Sequence, residues 1–553
     1  MNGARALLQT LADAGVELCF TNPGTSEMHF VAALDAEPRL RAVLTLFEGV
    51  ATGAADGYAR MAGKPAATLL HLGCGLGNGL ANLHNARKGK VPVLNIVGDH
   101  ASTHTRFDAQ LQSDIETVAR NVSPAFVRTS ASPAKLCEDA VAALRAARGL
   151  PGQVATLILP ADVSWGEGAR PCPPPPPPAP AAARDEVVQA IAAAITTGGR
   201  TLLLLGGQAL REDALRTAAS IAAHSSVQLL AEVFPTRMER GAGLPAVERV
   251  AYLAELAGVQ LAGVQHLVLV DAKSPVSFFA YPGKASDLVP AGCRVHTLSA
   301  ADEDAAASLA KLAQALGATD TAPPLAPARR PERPRGRLSA PKVCKAVGHL
   351  LPERAIVVDE AITSGLMLGV MTQGCPRHDL LTLTGGAIGQ GLPNAVGAAL
   401  ACPDRPVLAL VGDGSAMYTI QALWTMAREH LHVIAIVFNN ASYSVLNVEL
   451  ERVGAQAGAA SAKARALFEL DAPALDFARL AQGMGVHAVR ASSAEDFCQA
   501  LEYALAQPGP HLIEAVVPES LAGAKRKVLP WLLKSLPSLP PPLARALKSK
   551  IAP

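Results

Sequence analysis

Short apolar runs alternate along the chain with longer segments whose apolar residues repeat at helical spacing. Ala4–Ala14 and Ile420–His430 carry the helical pattern. The apolar runs predict buried strands, and they are Leu18–Phe20, Ala42–Phe47, Ala67–Leu70, Val91–Val97, Ala155–Leu159, Thr201–Leu205, His266–Val270, Val407–Val411 and His432–Phe438. Strands that alternate with helices favour an α/β fold built on parallel sheets.

Two breaks in composition divide the chain into three such modules. Pro171–Ala183 is nearly all Pro and Ala, and Thr321–Arg337 is rich in Pro and Arg, which is typical of extended linkers. We therefore predict doubly wound parallel-sheet modules at 1–168 (N-terminal), 185–320 (middle) and 338–520 (C-terminal), joined by linkers at 169–184 and 321–337 and followed by a tail at 521–553. The tail mixes basic residues with Leu and Pro, so it is interpreted by default as mobile, with capping of the active site or partner binding as alternatives.

Composition narrows the classes of function. Half of the 553 residues are hydrophobic, and the formal net charge is +2, which gives no electrostatic reason to expect nucleic-acid binding. No apolar run free of Gly, Pro or charge is long enough for a membrane-spanning helix, so no membrane association is expected. The nine cysteines show no paired spacing, and the chain begins on an amphipathic helix without a signal-peptide pattern. A cytoplasmic protein is expected.

The most specific motif is Gly412-Asp413-Gly414-Ser415, followed by Asn439-Asn440. Each part comes directly after a predicted strand, and the carboxyl ends of parallel strands meet at one edge of a sheet. The Asp413 carboxylate and the Asn440 amide are oxygen ligands of the kind that Mg²⁺ prefers, and glycines let a phosphate approach the backbone. The motif predicts a site for Mg²⁺ and a phosphate group, in preference to two unrelated surface turns.

Three segments of the N-terminal module also follow predicted strands. They are Thr21–Glu27, the position of Glu48, and the glycine-rich His71–Asn78. They should therefore line one rim of the sheet. Cys74 has no base beside it in the sequence, so it is interpreted as a small packed thiol.

These motifs together resemble the thiamin-diphosphate (ThDP) signature. Over about residues 3–518 the chain resembles the superfamily of ThDP-dependent 2-oxoacid decarboxylases and acetolactate synthases, with benzoylformate decarboxylase the nearest family. The shared features are Asn22-Pro23-Gly24-Thr25, Glu48 with Asp56-Gly57-Tyr58-Ala59, His71, and the run Gly412–Tyr418 with Gln421–Trp424.

The resemblance implies roles for three residues of the N-terminal module. Glu48 would hydrogen-bond the aminopyrimidine ring and promote its imino tautomer, rather than being a solvated loop glutamate. His71 would shuttle protons at the reacting carbon, rather than being a core histidine. Thr25 stands where the family has a pocket serine.

The resemblance also implies how the C-terminal module would hold the cofactor. Mg²⁺ would be bound by Asp413, Asn440 and the Ser442 carbonyl. The carbonyl of Gly386 would accept a hydrogen bond from the cofactor amino group, and Ile388 would be the apolar wedge beneath it, a role compatible with core packing. Further expected cofactor contacts are Thr363, Gly412, Gly414, Ser415 and Tyr443.

In this superfamily the glutamate and the diphosphate site belong to different subunits. The resemblance therefore implies a homodimer at least, with a homotetramer expected. The substrate would be a small-molecule 2-oxo acid, which the enzyme would decarboxylate, and the resulting enamine would be protonated or ligated to a second carbonyl.

The pocket departs from the family pattern. Alignment puts Ala280 where benzoylformate decarboxylase has a second histidine, and Glu449 where it has a phenylalanine. Phe107-Asp108 replaces the histidine pair of pyruvate decarboxylases, and Leu111-Gln112 loosely matches the Phe-Gln pair of acetolactate synthases. Gln112, Leu446 and Glu449 are predicted pocket residues, with Asp99, His100 and His104 as further candidates; the latter two histidines lack a third ligand for a metal. Both outcomes, decarboxylation and carboligation, stay open.

Three alternatives remain. The first is acetolactate synthase proper, whose family carries FAD on the middle module; Gly206-Gly207 after a strand is too little to predict FAD. The second is a nicotinamide-linked oxidoreductase, but Gly73-x-Gly75-x-Gly77 misses the last glycine of that motif. The third is a non-catalytic ThDP-fold binding protein, against which the presence of Glu48, Asp413 and Asn440 argues.

Overall fold

The computed structural model describes residues 1–174, 176–452, 462–519 and 543–544. Within these ranges the chain forms three sheets of six, five and seven strands. The predicted α/β class is confirmed. The predicted tail, 521–553, lies outside the described residues except for 543 and 544.

The N-terminal module is a six-stranded sheet in which every pair of neighbouring strands is parallel, in the order 2-1-3-4-6-5. Its strands are β1 (Leu18–Thr21), β2 (Arg41–Leu44), β3 (Ala66–Leu70), β4 (Val93–Asp99), β5 (Val127–Thr129) and β6 (Val154–Pro160). Its helices are α1 (Gly3–Asp13), α2 (Met28–Ala33), α3 (Glu48–Ala62), α4 (Leu72–Lys88), α5 (Ile115–Arg120), α6 (Pro133–Ala147) and α7 (Ala161–Trp165), with 3-10 turns at Thr25–Glu27, Leu34–Ala36 and Thr105–Phe107.

The middle module contains a five-stranded parallel sheet in the order 10-8-7-11-12. Its segment carries β7 (Thr201–Leu205), β8 (Gln228–Ala231), β9 (Met238–Arg240), β10 (Glu248–Arg249), β11 (His266–Val270) and β12 (Arg294–Ser299). The helices are α8 (Asp185–Thr196), α9 (Glu212–Ser225), α10 (Ala254–Leu261) and α11 (Ala305–Leu316), with a 3-10 turn at Gly207–Leu210. The end of the proline-rich linker contacts this module through a bridge between Ala181 and Glu303.

The C-terminal module forms the seven-stranded sheet, in the order 17-18-16-15-13-14-9. Its strands are β13 (Ala355–Glu360), β14 (His378–Thr382), β15 (Val407–Gly412), β16 (Val433–Asn439), β17 (His487–Ala491) and β18 (His511–Val516). Its helices are α12 (Ala340–Leu350), α13 (Leu368–Met371), α14 (Gly391–Ala401), α15 (Asp413–Ala416), α16 (Ala422–Arg428), α17 (Ser444–Arg452), α18 (Ala462–Ala466), α19 (Phe477–Gly483) and α20 (Ala494–Ala506), with a 3-10 turn at Ile362–Gly365.

One strand departs from the prediction of separate, wholly parallel sheets. Strand β9 comes from the middle segment of the chain, yet it pairs antiparallel with β14 at the edge of the C-terminal sheet. Charge pairing stabilises this crossing, because Arg237 Nε, beside β9, donates to Asp379 Oδ1 on β14. An edge strand needs only one neighbour, so a short segment from another module can fill this position.

Helices α3 and α14 join the N-terminal and C-terminal modules through close backbone contact. A Cβ atom added to Gly57 would lie 2.2 Å from the Asn394 carbonyl oxygen, and one added to Gly397 would lie 1.9 Å from the Ala54 carbonyl oxygen. Only glycine permits this approach. Glu48 begins α3, and the glycine-rich segment 385–391 leads into α14. The packing of the two helices therefore determines the position of Glu48 relative to this segment within one chain.

No helix within the described ranges is long and apolar enough to cross a membrane.

Candidate active site

Glu48 is the first residue of α3, and its side chain is buried. The strand before it ends at Leu44, earlier than the predicted Phe47, because the chain leaves the sheet to begin the helix. Asn78 Nδ2 on α4 donates to Glu48 Oε2 over 3.0 Å. The N-terminus of a helix favours a carboxylate through its free amides and dipole. Glu48 is therefore a buried and oriented acid, and the interpretation as a solvated loop glutamate is wrong.

His71 follows β3 and precedes α4, and a buried acid orients its ring. Its Nδ1 lies 2.8 Å from Glu27 Oε2 and 3.2 Å from Ser26 Oγ. The Gly24 amide also donates to Glu27 Oε2, over 2.8 Å, and the Ser26 hydroxyl donates to Glu27 Oε1. With Glu27 ionised, Nδ1 carries a proton and donates it in this hydrogen bond, which leaves Nε2 as the nitrogen available for proton exchange.

Glu27 was not among the predicted site residues. It lies in the same strand-end motif as Thr25, and an acidic residue in such a motif is the signal that could have identified it. Its side chain is fully shielded from solvent, and a Cβ atom on Gly98, near the end of β4, would lie 1.8 Å from its Oε1. Thr25 itself is exposed, so Ser26 is the hydroxyl residue of this motif that contacts His71.

Cys74 lies in the first turn of α4 and is exposed. The interpretation as a packed thiol is wrong for the single chain. Leu72 and Gly75 on either side of this position are buried, so Cys74 lies on the side of α4 that points away from the core.

The three predicted metal ligands lie together in the C-terminal module. Asp413 begins α15 after β15, and its Oδ2 accepts a hydrogen bond from the backbone amide of Asn440 over 3.0 Å. The Ser442 amide donates to Asn440 Oδ1, also over 3.0 Å. Adjacent parallel strands β15 and β16 thus bring Asp413 and Asn440 to one edge of the sheet, as predicted.

Asp413 is a buried carboxylate whose negative charge a bound cation would balance. Burial raises its pKa, and the amides of Gly414, Ala441, Asn440 and Ser442 oppose this effect. Within the described part of the chain, its hydrogen bonds come from backbone amides and no basic side chain pairs with it. A bound divalent cation would supply the missing positive charge, and the surrounding oxygens are of the type that Mg²⁺ prefers.

The backbone around Asp413 is open at Gly412, because the nearest atom to an added Cβ atom there is Ser415 Oγ, 3.7 Å away. At Gly414 the space is filled instead by the Tyr443 ring, whose Cε1 would lie 2.1 Å from an added Cβ atom. Ser415 is buried, and its hydroxyl is near Gly412. Thr363 is half-buried in the turn Ile362–Gly365, which is a neighbour of α17. These residues fit the diphosphate contacts that the resemblance implies.

The segment 385–391 is held from both sides. Asn85 Nδ2 on α4 donates to the Ala387 carbonyl over 2.8 Å, and the Ala387 amide donates back to Asn85 Oδ1 over 3.2 Å. Gly386 has a φ of +78°, a conformation that glycine adopts without strain. Ile388 is half-buried, which leaves part of its side chain free to support a cofactor from below.

From the other side, Glu360 at the end of β13 accepts three consecutive backbone amides of this segment. Gly389, Gln390 and Gly391 donate to its carboxylate over 2.6, 3.1 and 2.7 Å. Burial raises the pKa of Glu360 to about 7 despite these donors. Glu360 and Asn85 thus position the segment 385–391. The sequence did not identify them, because neither residue lies within that segment.

The predicted pocket residues divide into two groups. Gln112 Oε1 and His100 Nε2 are buried and lack a hydrogen-bond partner among the described residues. Asp99 is desolvated, which raises its pKa. In the C-terminal module, Leu446 is exposed on α17, and Glu449 on the same helix contacts the Tyr281 hydroxyl of the middle module.

The segment 278–281 of the middle module therefore reaches the segment 385–391 and helix α17 of the C-terminal module. Phe278 lies against Gly386, where an added Cβ atom would be 2.5 Å from its Cζ. Ala280, in the place of the family's second histidine, is exposed. Tyr281 is the polar residue that this segment offers to α17.

The acid–base residues and the predicted metal ligands are not bonded to each other in the described part of one chain. Among the described residues, no hydrogen bond or ion pair joins Glu27, Glu48 or His71 to Asp413 or Asn440. The part of the chain that is described also contains no group of three or more His, Cys, Asp or Glu side chains that would hold a metal, so His100 and His104 form no such centre.

Comparison with known proteins agrees with this geometry. Residues 1–119 match the family described as "Thiamine pyrophosphate enzyme, N-terminal TPP binding domain", and residues 366–515 match its C-terminal TPP binding domain. The chain is 57% identical over 523 residues to "Putative acetolactate synthase large subunit IlvX" of Mycobacterium tuberculosis, a match that covers 95% of this chain and 100% of that protein.

Two further relatives are more distant. Benzoylformate decarboxylase of Pseudomonas aeruginosa is 28% identical over 548 residues, which covers 92% of this chain and 97% of the relative. The solved structure of the ThDP-dependent 4-hydroxybenzoylformate decarboxylase of Rhodococcus jostii RHA1 superposes with a TM-score of 0.81 at 23% identity, over 94% of this chain and 100% of that one. The chain therefore belongs to the thiamin pyrophosphate enzyme family, and it is a ThDP-dependent enzyme related to acetolactate synthase and benzoylformate decarboxylase.

Proposed function

We propose that the protein is a Mg²⁺- and ThDP-dependent enzyme that decarboxylates a small 2-oxo acid and ligates the product to a second carbonyl compound. The observation that carries the metal and cofactor assignment is Asp413, a buried carboxylate bonded to the Asn440 amide and without a basic partner within the described ranges. When bound, ThDP supplies the nucleophilic carbon and the electron sink for loss of carbon dioxide.

The protein's own side chains would perform three tasks. Asp413, Asn440 and the Ser442 carbonyl bind Mg²⁺ and, through it, the diphosphate. Glu48 hydrogen-bonds the pyrimidine ring and exchanges a proton with it. His71, oriented by Glu27 through Nδ1, holds and moves a proton at Nε2 beside the reacting carbon.

Carboligation is favoured over simple decarboxylation by the residue at position 280. Release of an aldehyde requires protonation of the reacting carbon, and Ala280 offers no proton where the benzoylformate decarboxylase family has a histidine. A slow protonation step leaves time for attack on a second carbonyl. Simple decarboxylation is the second candidate, because Tyr281 and Glu449 are ionisable groups close to position 280.

We also propose that the active enzyme is at least a homodimer, with a homotetramer expected, in which Glu48 acts with the diphosphate site of the partner subunit. Both halves of the site carry exposed apolar side chains of the kind that subunit interfaces cover: Leu46 beside Glu48, and Met417 and Tyr418 beside Asp413.

The test is a calorimetric titration of metal-stripped protein with ThDP, with and without Mg²⁺, followed by a screen of 2-oxo acids. Binding that requires Mg²⁺, with formation of ligated products, supports the proposal. Asp413→Ala should abolish Mg²⁺-dependent binding, whereas Asp404→Asn, a change at an exposed aspartate of the same module, should leave it intact. Carbon dioxide release with aldehyde as the sole product would favour the second candidate, and absence of ThDP binding under both conditions would refute both.

A further inference from the structure

The middle module has a position where related sheets bind a ligand, at the carboxyl ends of its central strands. Strand β7 lies between β8 and β11, and the residues that follow these strands are Gly206-Gly207, Glu232 and Asp271. In doubly wound α/β sheets this position binds dinucleotides, and their diphosphate is held by backbone amides of the glycine turn.

In this protein two carboxylates accept hydrogen bonds from the backbone amides of that turn. The Gly207 amide donates to Glu232 Oε1 over 3.1 Å, and the Gln208 amide donates to Asp271 Oδ2 over 2.8 Å. A diphosphate placed there would have to displace both acids. It would also meet their negative charge, because an ionised carboxylate beside a phosphate is repulsive in a site shielded from water.

The carboxylates also fill the space that glycines normally leave for a phosphate. A Cβ atom added to Gly207 would lie 2.0 Å from Asp271 Oδ2. One added to Gly206 would lie 2.5 Å from the Asp271 carbonyl oxygen and 3.1 Å from Glu232 Cδ. The open approach to the backbone that a dinucleotide needs is therefore closed by the protein itself.

Asp271 is fixed in this position by the neighbouring module. Lys90, between α4 and β4 of the N-terminal module, donates through Nζ to Asp271 Oδ1 over 2.8 Å. Asp271 has a φ of +48°, a left-handed conformation that is costly for a residue other than glycine and persists where its surroundings impose it. Burial raises the pKa of Glu232 to about 7, while the nearby Lys90 and Lys273 oppose this shift.

We propose that the middle module binds neither FAD nor another adenine dinucleotide, because Glu232 and Asp271 occupy the position of the diphosphate. Asp271 also joins the middle module to the N-terminal module through Lys90. The protein is then flavin-free, which separates it from the FAD-containing acetolactate synthase that its sequence also suggested. This inference concerns the middle module alone and holds whichever reaction the ThDP site performs.

The test uses the full-length protein purified with ThDP and Mg²⁺. Its visible absorbance is read for flavin, and FAD and ADP are then titrated by equilibrium dialysis. We expect no flavin and no saturable binding of either probe. Flavin bound in stoichiometric amount, or saturable binding of FAD or ADP to the wild-type protein, would overturn the proposal whatever the variants do.

Variants test whether the two carboxylates are what prevents dinucleotide binding. The double variant Glu232→Gln, Asp271→Asn removes both carboxylates and should show saturable binding of ADP, which the wild type lacks. Asp185→Asn is the matched control, because Asp185 is an exposed aspartate of the same module that pairs with Lys311, and it should bind ADP no better than the wild type. A folded double variant that, like Asp185→Asn, shows no saturable binding of ADP would refute the role of the carboxylates.

Discussion

The proton chemistry of the site depends on side chains that hold one another in position. His71 can exchange a proton through Nε2 because Glu27 binds Nδ1, and Glu27 is itself bound by the Gly24 amide and the Ser26 hydroxyl. Such a partner determines the tautomer and the orientation of a histidine without touching the substrate. Glu27 is therefore a positioning residue for His71.

Glu27→Gln is expected to lower kcat by about 10- to 100-fold and to change the pH profile of kcat. A glutamine side chain can donate to Nδ1 as well as accept from it, so it no longer selects the tautomer that leaves Nε2 free. Glu17→Gln is the control, since Glu17 is an exposed glutamate of the same module. Steady-state kinetics over pH, with ThDP affinity measured separately, check the prediction; a pH profile identical to that of the wild type would contradict it.

Among the elements, the segment 385–391 and the helix that follows it connect the modules. Glu360 holds the amides of the segment from β13, Asn85 holds it from α4, and α14 then packs against α3 at glycine contacts. The cofactor segment is thus shaped by elements from two modules. Its conformation should respond both to the charge of Glu360 and to the distance between the two helices.

The charge of Glu360 should make stability depend on pH. Its pKa is about 7 in the folded protein against an ordinary value of 4.5, so the folded state binds this proton more tightly than the unfolded state. The resulting stabilisation is present below about pH 4.5 and is lost as the pH rises to about 7. Glu360→Gln should remove this part of the pH dependence, measured as the midpoint of chemical denaturation, whereas Glu353→Gln, at an exposed position, should retain it.

A Gly→Ala change in the contact between α3 and α14 should destabilise the protein, whereas the same change at an open helical position should not. Gly397→Ala should destabilise the protein by about 1–3 kcal/mol, because its Cβ atom would lie 1.9 Å from the Ala54 carbonyl oxygen. Gly258→Ala, within α10, should instead be neutral or stabilise by about 0.5–1 kcal/mol, since nothing lies within 4 Å of its added Cβ atom. Thermal unfolding of both variants checks this; equal shifts in Tm would contradict the close packing.

For the whole molecule, the central feature is that the two halves of the site belong to different modules. The acid–base residues belong to the N-terminal sheet and the metal ligands to the C-terminal sheet. Our proposal of a shared active site in a homodimer joins them between subunits. Each site would then need Glu48 from one subunit and the metal ligands from the other, so two different inactive chains can complement each other.

Glu48→Gln and Asp413→Ala should each be inactive alone, the first with ThDP binding retained. Co-expressed, the two variants should recover roughly a quarter of wild-type activity, because half of randomly formed dimers are mixed and each mixed dimer has one intact site. The activity of the purified mixed dimer checks the expectation. A mixed dimer without activity would refute the shared site, as would wild-type protein that is active as a monomer in sedimentation.

Local patterns in the sequence were sufficient for the α/β class, for nine of the eighteen strands in the described residues, and for placing Glu48, His71, Asp413 and Asn440 just beyond strand ends. Hydrophobic periodicity and strand-end motifs depend on residues close together in the chain, so they can be interpreted without coordinates. Only the tertiary structure decided the partners of those residues: Glu27 for His71, 44 residues away, and Asp271 for Lys90, 181 residues away. Such pairs arise from the packing of whole elements, as does the transfer of β9 to the C-terminal sheet, and no local pattern encodes which distant elements will meet.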